Sequence, residues 1–141
     1  MSKVFIDTNI FIYAIDEFNP EKKERSRQVV KNAVENLTAV ISTQVLQELY
    51  VAGTTKLGVD PLIMKSVVTS LDKIETVVVD TDLIKEAVDT SILNRISFWD
   101  ALVVAAAESA QCEILYTEDL NNGQVIRGVK IINPFLDTAS V

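Results

Sequence analysis

The sequence contains no histidine among its 141 residues. A chain without imidazole groups has no Ser-His-Asp or Cys-His triad, no HExxH zinc site and no histidine general base. The single cysteine, Cys112, excludes an intramolecular disulfide and any site that needs several cysteine ligands, such as an iron–sulfur cluster. If the protein is an enzyme, carboxylates or an exogenous cofactor must therefore carry out the chemistry.

Glycine and long apolar runs are also scarce. The four glycines form neither a GxGxxG fingerprint nor a GxxxxGK[ST] loop, so a dinucleotide-binding motif and a P-loop are both absent. The apolar run at residues 4–6 is too short for a signal peptide, and residues 101–107 fall well below the ~20 residues of a membrane-spanning helix. We therefore expect a soluble cytoplasmic protein with no membrane partner.

Acidic residues outnumber basic ones by 20 to 13, and the formal net charge is −7. Because nucleic acid is a polyanion, this surplus argues against nonspecific nucleic-acid binding by the whole surface, although a local basic patch is still compatible with it. The length and the 48% hydrophobic content are ordinary for a single globular domain, which we expect to span residues 1–141.

Short apolar runs alternate with longer helical patterns along the chain. The runs are β-branched and nearly continuous, which is typical of strands buried on both faces of a parallel sheet. Predicted strands occupy residues 4–6, 39–41, 77–79, 114–116 and 129–132. Predicted helices occupy residues 20–36, 43–56, 61–73, 82–94 and 98–111. Thr81 and Ser97 are the expected N-caps of the last two helices, and the alternation predicts an α/β fold.

The helix that begins at Phe98 is apolar on nearly all sides, which predicts a central, buried position. Its one early charge is Asp100. A buried carboxylate without a partner is costly, so this conflict between pattern and charge is the first indication of a functional site.

Acidic residues follow several of the predicted strands or lie early in the helices after them. The four that do so are Asp7, Glu48, Asp100 and Asp119. In an open parallel sheet, the carboxyl ends of the strands and the starts of the following helices share one edge, and ligands bind in the crevice there. We therefore expect the four carboxylates to converge on one rim, although they are far apart in sequence.

Several carboxylates in one pocket repel one another, and divalent cations relieve that repulsion. Mg²⁺ and Mn²⁺ prefer oxygen ligands and can activate water for attack on a phosphodiester without any histidine. Thr8, Asn9 and Thr117 lie near the same predicted edge, where they can orient the carboxylates or a metal's water ligands.

Each acid also has an ordinary structural explanation. Asp7 can cap a helix, and Asp100 can form a reciprocal capping box with Ser97. Glu48 can lie on a solvated helix flank, and Asp119 can serve as a turn residue. The basic residues between positions 22 and 31 fit either phosphate contact or a solvated helix face, so the pattern alone leaves these alternatives open.

Taken together, these segments resemble the PIN-domain family, and the likeness is greatest to the small VapC-type toxins of bacterial toxin–antitoxin systems. The resemblance is carried, in order, by residues 4–9, 41–48, 97–102, 115–120 and 131–135. The likeness therefore spans nearly the whole chain. It implies a three-layer α/β/α sandwich around a five-stranded parallel sheet.

The resemblance also implies an endoribonuclease that depends on Mg²⁺ or Mn²⁺, acts on RNA, forms a homodimer and is inhibited by a cognate antitoxin protein. The implied catalytic and metal-binding residues are Asp7, Glu48, Asp100 and Asp119. The implied supporting polar residues are Thr8, Asn9 and Thr117. Glu118 precedes Asp119 and is an alternative for the fourth acid.

We therefore predict the toxin of a toxin–antitoxin pair, which cleaves structured RNA with metal-activated water. Three alternatives stay open at this point. One is a PIN nuclease that acts in RNA processing outside any toxin–antitoxin system, and another is an RNA- or antitoxin-binding module whose catalysis is weak or lost. The third is a small-molecule phosphohydrolase that shares the acidic rim.

Overall fold

The computed structural model describes residues 2–136. The first half contains β1 (Val4–Ile6), α1 (Thr8–Ile15), α2 (Pro20–Glu35), β2 (Ala39–Ser42), α3 (Thr43–Thr55) and α4 (Pro61–Ser70). A short 3₁₀ turn then precedes β3 (Glu75–Val77), α5 (Thr81–Asn94), α6 (Phe98–Ser109), β4 (Ile114–Tyr116), β5 (Val125–Ile126) and β6 (Val129–Ile132). Within these residues, no helix combines the length and apolarity needed to cross a membrane.

The strands form one sheet in the order β3-β2-β1-β4-β6-β5. The first five of these strands are parallel to their neighbours, and β5 alone runs antiparallel, against β6. Helices cover the sheet, so the predicted α/β sandwich is confirmed. The sheet has six strands rather than the expected five.

The additional strand comes from a tight hairpin between β5 and β6. Its two turn residues, Arg127 and Gly128, both have positive φ, at 52° and 81°. Two consecutive positive φ values are typical of the two-residue turns whose twist matches paired antiparallel strands. The hairpin explains why Val125 and Ile126 pair with β6 although they lie outside any predicted strand.

Two local expectations were wrong. The third strand covers Glu75–Val77 instead of residues 77–79, and it lies at the sheet edge with exposed or half-buried side chains. The N-cap of α5 is Asp80 rather than Thr81, because the Asp80 carboxylate accepts a hydrogen bond from the Leu83 N–H at 2.8 Å. The expected cap of α6 is confirmed, since Ser97 Oγ accepts from the Asp100 N–H at 3.1 Å.

The core lies around the central strands and α6. Side chains of β1 and β2 such as Phe5, Ile6 and Ile41 are completely buried, as expected for strands covered on both faces. Residues 101–107 of α6 are all buried, and this helix packs against β2, β4 and β6. Burial of each large apolar side chain stabilises the fold by ~1.5–3 kcal/mol, so Asp7 and Asp100 are attached to elements that are anchored in the core.

Candidate active site

Strand β1 lies between β2 and β4 and is parallel to both. The chain adds β2 and β3 on one side of β1 and then crosses to add β4, β6 and β5 on the other side, so the strand order reverses at β1. In an open parallel sheet, such a reversal leaves a crevice at the carboxyl ends of the strands. Asp7 follows β1 and Thr117 follows β4. The Asp7 N–H donates to the Tyr116 carbonyl at 3.0 Å, which holds the two strand ends together at the crevice.

A cavity of about 590 Å³ opens at this crevice. Its volume is within the ~300–1,000 Å³ range of sites for small ligands and cofactors. All four acids singled out in the sequence line its wall: Asp7, Glu48, Asp100 and Asp119. Thr8 and Asn9 also line it, whereas Thr117 does not but contacts Asp7 directly. The tertiary structure thus brings together acids that follow β1 and β4 or lie within α3 and α6.

Asp7 is the most buried of the four acids, with 6% of its surface exposed. Its Oδ1 accepts from the Thr8 N–H at 2.7 Å, and its Oδ2 accepts from the Thr117 hydroxyl at 2.8 Å. Loss of water nevertheless raises the pKa of Asp7 from 3.8 to about 7, against the opposing effect of these hydrogen bonds. The negative charges of Asp119 and Glu48 add to the rise. A cation in the cavity would favour the ionised carboxylate.

Thr8 links Asp7 to Glu48. Its hydroxyl donates to Glu48 Oε1 at 2.8 Å, while its backbone N–H donates to Asp7. The Glu48 side chain is exposed on α3, and this single bond fixes its direction toward the start of α1. Asp7 also caps α1, so its structural role and its place in the cavity coexist.

Asp119 is held by Asn9 and Thr117. Asn9 Nδ2 donates to Asp119 Oδ2 at 3.0 Å, and the Asp119 N–H donates to Thr117 Oγ1 at 3.2 Å. Partial burial raises the pKa of Asp119, and the nearby charges of Asp100 and Glu118 raise it further. Thr117 therefore serves two acids, since its hydroxyl donates to Asp7 and accepts from the chain at Asp119.

Asp100 takes only half of the capping-box geometry. Its N–H is capped by Ser97 Oγ, but within residues 2–136 its carboxylate accepts no hydrogen bond and forms no ion pair. Because the helix start already has its cap, the charge of Asp100 has no structural partner and faces the cavity.

Glu118 also lines the cavity, but its charge is already compensated. Lys22 Nζ forms an ion pair with Glu118 at 2.9 Å, and the Tyr13 hydroxyl donates to the same carboxylate at 2.7 Å. These bonds raise the pKa of both Tyr13 and Lys22. Asp119 has no such cation among the described residues, so it is the better candidate for the fourth acid.

The carboxylates do not form a ready-made metal cage. Within residues 2–136, no three acidic or cysteine side chains come close enough to hold one ion together. Two buried oxygens of residues that line the cavity, Asn9 Oδ1 and Gln44 Oε1, accept no hydrogen bond. Mg²⁺ commonly binds one or two carboxylates and keeps several waters, which can donate to such oxygens. The donor set fits an ion of this kind.

Comparison with protein families identifies the fold. A family model described as the PIN domain matches residues 4–125. The chain belongs to the PIN domain family. The family resemblance of the sequence motifs is thereby confirmed. A search of the curated proteins finds no significant match.

Solved structures that share this fold include a toxin and a toxin–antitoxin complex. A toxin–antitoxin complex from Klebsiella pneumoniae aligns with a TM-score of 0.69 at 20% identity, over 95% of this chain and 98% of that one. DNA-bound VapBC from Salmonella typhimurium aligns with a TM-score of 0.68 at 23% identity, over 95% and 99%. VapC20 from Mycobacterium tuberculosis, a toxin that cleaves the sarcin–ricin loop, aligns with a TM-score of 0.65 at 18% identity, over 83% and 90%. At these identities the likeness shows the shared fold.

The cavity of this PIN domain also contains residues that sequence reasoning did not place there. Asp16, Phe18 and Lys56 line it, and Trp99 presents its side chain beside Asp100. A signal for Lys56 was available, because it follows Glu48 by eight residues and so lies about two turns farther along the same helix. Phe18 belongs to the connection between α1 and α2, and no pattern in the sequence marks it.

The basic residues at the start of α2 are largely engaged with the PIN domain itself. Lys22 and Lys23 form ion pairs with Glu118 and Glu17. Arg25 and Arg27 donate to the backbone carbonyls of Pro134 and Ala14 at 3.0 and 2.9 Å. These contacts favour a structural role for the α2 cations over phosphate contact.

Proposed function

We propose that this PIN domain is a divalent-metal-dependent endoribonuclease that acts as the toxin of a toxin–antitoxin pair. The observation that carries the proposal is the cavity at the strand reversal. Four acids from separate elements line it, and none of them forms an ion pair within residues 2–136. A cluster of like charges without an internal cation is suited to binding one from solution.

Asp7, Asp100 and Asp119 are the proposed ligands of Mg²⁺ or Mn²⁺, with Glu48 holding a second ion or orienting water. When bound, a divalent ion supplies activation of water and stabilisation of the negative charge that develops at the phosphate. The raised pKa of Asp7, about 7, means that ion binding near neutral pH is coupled to loss of its proton.

The remaining polar residues keep these acids in place. Thr117 and the Thr8 N–H hold the two oxygens of Asp7, the Thr8 hydroxyl holds Glu48, and Asn9 holds Asp119. Because each support is itself part of a strand end or a first helical turn, the acids are arranged before any substrate arrives. This preorganisation favours hydrolysis over a binding role with weak catalysis.

The proposed substrate and protein partners are supported by the solved structures that share the fold. These structures include a toxin–antitoxin complex and a toxin that cleaves the sarcin–ricin loop. We infer a structured RNA substrate, a cognate antitoxin, a homodimer, a cytoplasmic location and one PIN domain over residues 1–141. The homodimer is supported by two exposed apolar side chains on α5, Ile92 and Leu93, which a second copy of the chain would cover.

A cleavage assay tests the reaction. The purified chain, freed of any bound partner, is incubated with structured RNAs in Mg²⁺ or Mn²⁺ and again with a chelator. We expect cleavage that the chelator abolishes and that added ion restores. Asp7→Asn should cleave at least ~100-fold more slowly than the wild type, whereas Asp89→Asn, which removes an exposed acid on α5, should cleave like the wild type. Equal cleavage by Asp7→Asn would contradict the assignment.

Growth of cells that express the chain tests the toxin role. Expression should arrest growth, Asp7→Asn should not, and co-expression of a neighbouring short open reading frame should rescue it. RNA cleavage in vitro without growth arrest would instead favour a PIN nuclease of RNA processing.

A further inference from the structure

The ion pair between Lys22 and Glu118 is more shielded from water than the other ion pairs within residues 2–136. The Glu118 side chain is 23% exposed, whereas the acidic side chains of the other pairs are between 39% and 80% exposed. Fully exposed ion pairs contribute little, because water and salt screen them. A half-buried pair whose acid lines a cavity with four further acids therefore requires an explanation.

The Lys22 side chain is fixed by a cluster of four residues, which we call the Lys22 cluster: Tyr13, Lys22, Glu118 and Phe135. Lys22 Nζ lies 2.9 Å from Glu118 Oε2 and donates to the Tyr13 hydroxyl at 3.3 Å. The same ammonium group lies 4.5 Å and 5.0 Å from the ring centroids of Tyr13 and Phe135. Because aromatic faces attract a cation, these contacts hold the charge of Lys22 in one place.

Both carboxylate oxygens of Glu118 are bound within this cluster. Oε2 pairs with Lys22, and Oε1 accepts from the Tyr13 hydroxyl at 2.7 Å. Glu118 and the next residue, Asp119, nevertheless both line the cavity, whereas Lys22 does not. Without the charge of Lys22, a second uncompensated carboxylate would face the cavity directly beside Asp119. Divalent cations take carboxylate oxygens in preference to neutral groups, so Glu118 would compete for the ion.

We propose that Lys22 is a positioning residue, whose ion pair keeps Glu118 out of the ligand set of the bound ion and so leaves Asp119 as the ligand from this loop. This inference rests on the proposed binding of a divalent ion at the acidic cavity. Lys22 acts without contact to the ion or the substrate. An ion drawn toward Glu118 would be displaced from its productive position, and small displacements of reacting groups are costly to the rate.

A purely structural Lys22 cluster makes a different prediction. Glu118→Gln and Lys22→Met both break the ion pair, so a structural role predicts similar defects in both variants and no recovery when they are combined. A positioning role predicts a large defect only where a charged Glu118 has lost its partner. Adding Glu118→Gln to Lys22→Met should then reverse the defect.

Luminescence of bound Tb³⁺ tests the proposal without a cleavage assay. Tb³⁺ is a hard cation with oxygen ligands, and Trp99, the only tryptophan in the chain, lines the cavity and can sensitise its emission. Mn²⁺ should displace Tb³⁺, which shows that the two ions share the site. Luminescence lifetimes measured in H₂O and in D₂O give the number of water molecules bound to Tb³⁺.

The water count should report whether Glu118 becomes a ligand. In Lys22→Met we expect a loss of about one bound water molecule, because a carboxylate oxygen replaces it. Tb³⁺ should also bind roughly 3- to 10-fold more tightly. The double variant Lys22→Met, Glu118→Gln should return to the wild-type water count, and Lys22→Arg, which keeps the charge, should retain it.

Two matched lysine variants separate ligand exchange from a general change in charge. Lys56→Met removes a cation that lines the cavity and forms no ion pair within residues 2–136. It should tighten Tb³⁺ binding but leave the water count unchanged, because it releases no acid. Lys31→Met makes the same substitution at an exposed position of α2 and should change neither quantity.

Single-turnover cleavage of RNA gives a second measurement. Lys22→Met should lower the rate roughly 10- to 100-fold, the range typical of residues that orient metal ligands. Glu118→Gln alone should lose much less, and the double variant should recover most of the lost rate. Methionine keeps the apolar stem between the two rings. Thermal unfolding verifies that each variant is folded, and Lys22→Gln, with the same expected results, replaces Lys22→Met if that variant does not fold.

The outcomes separate this proposal from the proposed function. If Lys22→Met keeps the wild-type water count, or if the double variant is as defective as Lys22→Met, the positioning role is wrong and the Lys22 cluster only stabilises the fold. If the water counts change as expected but no variant and no wild-type protein cleaves RNA in Mg²⁺ or Mn²⁺, the role of Lys22 in ion binding stands and the ribonuclease assignment is wrong. Wild-type protein that binds neither Tb³⁺ nor Mn²⁺ would overturn both.

Discussion

Two groups of acidic residues lie at the opposite ends of α6, and they differ in whether a basic side chain forms an ion pair with them. At its start, Asp100 shares the cavity with Asp7, Glu48 and Asp119, and no cation pairs with any of them within residues 2–136. At its end, Arg127 forms ion pairs with Glu108 and with Glu86 of α5, at 2.9 and 2.7 Å.

The difference distinguishes a structural cluster of acids from a candidate active site. The Arg127 guanidinium satisfies its acids from inside the molecule and also donates to the buried Thr90 hydroxyl at 3.0 Å, which ties the β5–β6 hairpin to α5. The acids at the cavity are oriented by neutral donors that do not neutralise them. Within residues 2–136, no basic side chain forms an ion pair with them.

The largest expected effect is on cleavage. Asp7→Asn should lower the rate by ~10²–10⁴-fold, the range typical when a catalytic group is lost. Glu86→Gln, which removes an acid from the Arg127 cluster, should leave the rate unchanged. Single-turnover cleavage of one RNA by the two variants measures the contrast. Similar losses in both would show that the two acid groups do not differ in function.

The stability of Asp7→Asn should change in the opposite direction from its activity. The pKa of Asp7 is about 7 in the folded chain, against ~3.9 for an unfolded Asp, so the ionised carboxylate destabilises the ion-free fold as pH rises from about 4 to 7. Asparagine does not titrate and retains the helix cap.

Without divalent ions, Asp7→Asn should therefore equal the wild type near pH 4 and exceed it above pH 7 by up to ~4 kcal/mol of unfolding free energy. Urea denaturation at several pH values, with chelator present, measures the difference. Saturating Mg²⁺ should narrow the gap by stabilising the wild type alone. A gap that is constant across pH would contradict the burial of an ionisable Asp7.

A smaller effect is expected from Thr117→Val. This substitution keeps the shape of the side chain but removes the hydroxyl that donates to Asp7 and accepts from the Asp119 N–H. Residues that orient metal ligands are typically worth ~10–100-fold in metal affinity. Mn²⁺ titration should show that loss, and Thr117→Ser, which restores the hydroxyl, should recover most of the affinity.

The smallest effect belongs to the other end of α6. Arg127→Met should lower the unfolding free energy by only ~1–2 kcal/mol, because its ion pairs are partly exposed and solvent screens them. Cleavage should be unaffected. Thermal unfolding and the RNA assay on the same sample measure both quantities, and a loss of activity in a folded variant would couple the two ends of α6.

Much of the fold was predictable because short-range patterns determine it. The β-branched runs at residues 4–6, 114–116 and 129–132 are strands at the predicted positions, and Ser97 caps α6 as its side chain predicts. The third strand was misplaced because residues 77–79 are all apolar but only Val77 belongs to β3, an edge strand whose side chains are not selected by burial. The two-residue strand β5 is too short for any periodicity to mark it.

The candidate site, like the fold, was predictable only in part. Strand ends and helix starts pointed to Asp7, Glu48, Asp100 and Asp119, and the structure places all four around one cavity, while their roles as ligands stay a prediction. The sequence left open whether Glu118 or Asp119 is the fourth acid of the site, because no local pattern distinguishes two adjacent acidic residues. The answer depends on Lys22, which reaches Glu118 from 96 residues away in the chain.

The sequence by itself determined which chemistries are unavailable, because a chain without histidine and with one cysteine cannot build the sites that need them. It also determined the order of the main strands and helices and the acids at their ends, because local periodicity and capping depend on neighbouring residues. The tertiary structure alone decided which acids are neutralised, which lose their water and which aromatic rings stay exposed. Those properties depend on distances and burial between residues far apart in the chain, and no local pattern encodes them.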